Sequence, residues 1–141
     1  MRRKGFNTES VPVDILLETT IILACLRIRA MGLFLTMRDL IEILLLFRDN
    51  GISIREVGVR WINQGYYSRP AALKIASYER KGYLRKIGDA MWDFTGKGWK
   101  LSWDRLNSFR ERYPGQIERL ARIVGLLLPP ISEVAVSRPD E

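Results

Sequence analysis

Ser68–Gly98, SRPAALKIASYERKGYLRKIGDAMWDFTGKG, is the run on which the fold turns. Ser68 reads as an N-cap, Pro70 is tolerated in the first turn that follows, and Gly82 stands where a helix would end. Between them Ala71, Ile75, Tyr78 and Gly82 fall at spacings of four, three and four, the inward face of a helix, leaving Arg69, Lys74, Ser77 and Lys81 outside. Beyond Gly82 the strand-like runs YLRKI and AMWDFT flank Gly88-Asp89, which predicts a two-residue hairpin with Ile87 facing Ala90, Arg85 facing Trp92 and Tyr83 facing Phe94. Thr95 then caps a helix reaching about Tyr113, with Trp99, Trp103, Leu106 and Phe109 as its core stripe.

Working outward, residues 13–30 form a helix whose apolar side chains occupy nearly every face, so it is either a central core helix or one buried partly against a second subunit. Thr36 caps a second helix, with Asp39 three residues on and Leu40, Ile43, Leu44 and Phe47 on one stripe to about Asp49. Ser53 and Glu56 have the spacing of a capping box, predicting a short helix through SIREVGVRWI with Ile54, Val57 and Trp61 inward. The C-terminal side offers an amphipathic helix over 116–128, with Ile117, Leu120, Ala121, Val124 and Leu128 on one face. Residues 1–12 are a flexible basic start, and the Pro-containing, net-negative stretch 129–141 is expected to be disordered.

A chain of 141 residues with 47% hydrophobic content is long enough for one domain with its own core. Its net charge of +7 is uneven: residues 1–50 carry +1, residues 51–100 carry +6 and residues 101–141 carry none. Concentration of cations in one segment is the footprint of a polyanionic partner. The single cysteine, Cys25, lies in the apolar run TTIILACL and reads as a buried small hydrophobe in a reducing cytosol. The longest charge-free run near the N-terminus is Thr19–Leu26, far short of the roughly 20 residues a membrane span needs, and no cleavage site follows it. A soluble, unexported, cytoplasmic and nucleoid-associated protein is the expectation.

Three helices followed by a tight hairpin make the order of a winged helix: a mostly α fold with a small β-hairpin, helix-turn-helix at 36–82 and wing at 83–95, within a domain spanning 13–128. The helix from Ser68 would then enter a major groove. Arg69 and Lys74 are the types that pair with guanine, while Ser68, Ser77, Arg80 and Lys81 can hold bases or phosphates. Arg55, in the first turn of the supporting helix, is a candidate backbone contact. Tyr66 and Tyr67 either hydrogen-bond phosphates or plug the core beneath the turn. The MRRK start could act as an arm into a minor groove.

The stretch SYERKGYLRKIGDAMWDFTGKGWKL resembles MarR-type and PadR-type winged-helix regulators, in which a recognition helix ends in a charged ERKG, a strand begins, and T-x-K-G reopens a helix after the wing. The likeness covers roughly residues 36–106. It implies a homodimer in which the helices at 13–30 and 116–128 pack across a two-fold axis and the two recognition helices enter successive grooves. MarR-type wings usually have several more residues and an acidic-x-Arg element. With a loop of only Gly88-Asp89, Arg85 and Lys86 are assigned here to phosphates.

Enzyme classes find little to work with. There is no histidine and one cysteine, so zinc sites and Ser-His or Cys-His arrangements lack their parts, GKGWK lacks phosphate-loop spacing, and no cofactor or metal is expected. The expectation is a sequence-specific double-stranded-DNA-binding homodimer, most simply a transcriptional regulator, with no membrane partner. Two alternatives stand beside it: a plasmid or viral partition-site binding protein, and a winged helix used as a protein-interaction module.

Overall fold

A helix apolar on all sides needs cover on all sides, and the chain supplies it to itself. The computed structural model describes residues 11–62 and 65–131. Helix α1 (Val13–Ala30) is buried without interruption from Ile15 to Cys25, and again at Ile28. Against it pack α2 (Met37–Asp49), α3 (Arg69–Arg80) and α4 (Gly96–Arg112). The central-core alternative is therefore the one realised, and α1 needs no second subunit to cover it. Burial also pushes the Cys25 thiol well above its ordinary pKa, as suits a packing residue.

The architecture is mostly helical with a small antiparallel sheet. Strand β1 (Leu35–Thr36) runs into α2, whose start is fixed as expected: the Asp39 N–H donates to Thr36 Oγ1 and the Thr36 N–H donates back to the Asp39 carboxylate at 2.9 Å. After α3 come β4 (Leu84–Gly88) and β5 (Met91–Phe94), and β1 joins them in the order β1–β5–β4. Helix α5 (Gln116–Ile123) closes the bundle against α2 and α4, burying Ile117, Leu120 and Ala121. No helix among the described residues is long and apolar enough to cross a membrane.

Four expectations require correction. The helix predicted through residues 53–62 is a single 3-10 turn, Arg55–Val57, with no side-chain cap from Ser53. Gly58 ends it in the left-handed region at φ 67°, and the β-prone residues beyond form a ribbon of β2 (Arg60–Ile62) and β3 (Gly65–Tyr67). Trp61, expected inward, is 63% exposed. The wing hairpin pairs Leu84 with Phe94, Arg85 with Asp93 and Lys86 with Trp92, one residue off the expected register, and turns at Asp89-Ala90. The cause is the later turn, which alone would slip the pairing by two residues; a bulge between Lys86 and Gly88 takes one back and leaves the buried pair Leu84 and Phe94 facing each other.

The last helix ends at Ile123 rather than 128 because Gly125 turns the chain at φ 82°. And α5, like α1, is covered within one chain, so neither proposed dimerisation helix is left bare by the fold. The MRRK arm and residues 132–141 lie outside the described residues.

Candidate functional site

Helix α3 is held from three directions. At its start the Ser68 hydroxyl accepts from the Ala71 N–H at 3.2 Å and donates to the Val57 carbonyl at 2.7 Å. Ser68 is fully buried by this double duty, a correction to the expectation that it contacts DNA. In the last turn of α3 the Tyr78 hydroxyl donates at 2.6 Å to buried Glu18 of α1, and Arg105 of α4 grips both oxygens of the same carboxylate, its Nη2 at 2.7 Å. Burial and then the bond to Glu18 push the Tyr78 phenol well above its ordinary pKa, while the same carboxylate holds the Arg105 guanidinium up against its partial burial.

At the side of α3, Lys74 Nζ donates to Asp14 of α1 at 2.5 Å. The Lys74 side chain is only 19% exposed, a correction to its expected place on the outer face. With 3.6 residues per turn it falls beside the Ala71–Ile75–Tyr78 stripe rather than opposite to it. The true outer face is Arg69, Leu73, Ala76 and Arg80, again at spacings of four, three and four, with Ser77 half-buried beside it. Leu73, 55% exposed, belongs to this face although its apolar side chain does not advertise it: two residues beyond inward Ala71 is about 200° around the helix.

The β4–β5 hairpin follows. Arg85 and Lys86 lie exposed on opposite sides of β4, an edge strand, and Lys81 lies exposed at the C-cap of α3. The hairpin is tied to the helix by the Trp92 indole, which donates to Glu79 at 3.3 Å, and by the Thr95 hydroxyl, which donates to the Gly82 carbonyl at 2.7 Å. Among the described residues no ion pair engages Arg69, Arg80, Lys81, Arg85 or Lys86.

The ribbon β2–β3 supplies the remaining side chains near the start of α3. Tyr66 and Tyr67 are 46% and 41% exposed, which excludes the core-plug alternative for both. Arg60, Trp61 and Ile62 are exposed too, none of them anticipated as site residues. The alternation of their neighbours with Tyr66 and Tyr67 was the available signal, masked by the capping-box spacing of Ser53 and Glu56. Arg55, expected on a backbone, lines a cleft of about 660 Å³ between the start of α1, the 3-10 turn and α5, with Leu16, Ile52 and Arg119 among its walls.

No protein-family model, curated protein or solved structure matches the chain. Its function has to be read from its own geometry.

Proposed function

We propose that the chain is a sequence-specific double-stranded-DNA-binding protein with a winged-helix fold, most simply a transcriptional regulator, that seats the outer face of α3 in the major groove and rests β4 on the adjoining phosphates. The observation that carries the reading is the set of exposed cations Arg69, Arg80, Lys81, Arg85 and Lys86, outside every ion pair among the described residues while Lys74 nearby is paired. In this reading Arg69 and Arg80 take guanine edges or phosphates, Leu73 meets a thymine methyl, and the wing cations fix register.

The helix-turn-helix of this reading has lost its middle helix. A 3-10 turn and the ribbon fill that place, and Ser68 bonded to Val57 does the work of fixing the angle of α3. Two copies on a two-fold site belong to the proposal for a quantitative reason. The two arginines, Arg69 and Arg80, can supply about 2–6 kcal/mol of discrimination from one chain, whereas specific sites exceed non-specific ones by about 4–10 kcal/mol. Doubling the reading head to about 4–12 kcal/mol spans that range.

The test is selection of bound duplexes from a random pool under rising salt. Enrichment of a two-fold motif with half-sites about one helical turn apart supports the proposal, and Arg69→Ala should then relax the motif at fixed positions. Retention without any motif would count against sequence specificity. Absence of binding even at low salt would defeat DNA binding altogether.

A further inference from the structure

Ribbon β2–β3 carries more exposed aromatic surface than its own stability explains. Its register sets Trp61 across from Tyr66 on one side, with ring centroids 4.9 Å apart and edge to face, and Arg60 across from Tyr67 on the other. A two-stranded ribbon is marginal in water on its own, and these rings are turned to solvent instead of reinforcing it from beneath. Among the described residues nothing covers them fully.

Charge decides between covers. Arg60 lies on the ribbon and Arg69 follows it at the start of α3, both exposed, and Glu56 is the one acid between residues 53 and 69. Among the described residues neither arginine is held in an ion pair. An apolar protein surface would leave those cations uncompensated on desolvation, and a second copy of the same ribbon would oppose them to each other. A strand of nucleic acid offers phosphates for the arginines and flat base faces for the rings, the combination by which proteins hold single strands. A paired duplex hides its base faces in the stack, so the rings need unpaired bases.

We infer that the β2–β3 ribbon is a binding site for unpaired bases of single-stranded DNA, with Trp61 and Tyr66 as the stacking pair and Arg60 on the backbone. The inference leans on the proposed duplex interface only for placement: Tyr67 directly precedes the cap of α3, so a duplex seated on α3 would bring its strand past the ribbon. Base stacking itself stands apart from that interface and can be measured apart from it.

The experiment uses the full chain with three DNA probes: a single strand, a fully paired duplex, and the same duplex with a short unpaired bubble, each carrying 2-aminopurine at one position. The reporter sits in the DNA because the chain has four tryptophans, which would blur an intrinsic signal. Expected results are binding of strand and bubble with quenched 2-aminopurine, weakened at least about fivefold by Trp61→Ala or Trp61→Leu and restored by Trp61→Phe. Leu keeps the apolar area and removes the π-face, so it separates stacking from plain hydrophobic docking. Both variants alter an exposed side chain, and circular dichroism checks that they fold.

Equal wild-type affinity for bubble and duplex, with Trp61→Leu neutral on both, would overturn the ribbon site and leave the duplex proposal standing. Strand binding without duplex binding would do the reverse. Self-association that Trp61→Leu abolishes in the absence of DNA would also overturn it, in favour of a second copy as the cover.

Discussion

A β-carbon on Gly98 would come within 2.0 Å of the Tyr83 carbonyl oxygen, far inside any contact a real side chain makes. The neighbour is backbone at the root of the wing, where the Thr95 N–H also donates to that carbonyl at 3.1 Å, so it has no flexible end to move aside. Gly98→Ala should therefore cost stability by about 1–3 kcal/mol or more, read as a lower urea midpoint, whereas Ala at exposed Gly96, with nothing within 4 Å, should be nearly neutral. Ser68 makes a comparable case at the start of α3. Ser68→Ala removes a cap worth about 1 kcal/mol and strips the buried Val57 carbonyl of its donor, so about 2 kcal/mol in total is expected by the same measurement. Both positions were legible as a helix cap and a T-x-K-G junction. Their long-range partners were not, because nothing in a linear motif says which carbonyl eleven residues back it will meet.

Among the elements, α3 depends on a carboxylate that α1 buries. Among the described residues Glu18 is bonded by Tyr78 and Arg105, and removal of Arg105 leaves it with a single hydroxyl donor there. Arg105→Ala should cost about 3 kcal/mol, the low end for broken buried pairs since the arginine side of this pair is partly open to water. Tyr78→Phe should cost less, and the two changes together less than their sum, measured as a double-mutant cycle in urea. The α4–α5 corner gives a pH dependence. Burial pushes the Glu118 carboxyl up, but the Arg110 guanidinium at 2.9 Å and the N–H groups of Glu118 itself and Gly115 outweigh burial and hold it below the usual range. A folded pKa below the unfolded one stabilises above the ordinary carboxylate value, about 4.3, and that contribution disappears as pH falls through the folded value. Glu118→Gln should thus melt lower than wild type at about pH 6, with the gap closing below about pH 4. α2, α3 and α4 were readable because each start is fixed by a side chain within three residues of it. The stretch 53–62 was not, because a capping-box spacing competed with a ribbon whose other strand had still to pair, and the Lys74–Asp14 contact joins residues 60 apart.

At the scale of the whole molecule the proposed duplex binding raises the question of how many copies would act together, and salt can count them. Each phosphate neutralised on a duplex releases counterions, so the logarithm of the binding constant falls with the logarithm of salt by about 0.9 per contact. The set Arg69, Arg80, Lys81, Arg85 and Lys86 offers five cations from one chain. One copy engaging all of them should give a slope of about −4.5, and two copies on a two-fold site a slope of about −9. Lys74 should leave either value unchanged when replaced by Ala, being already spent on Asp14. Arg85→Ala should reduce the slope by about 1 if one copy binds and by about 2 if two do, with no change in the selected motif. A slope of about −9 that Arg85→Ala lowers by only about 1 would be inconsistent with both stoichiometries, and would mean that cations beyond the α3 and wing surface, such as those around the ribbon, carry part of the contact.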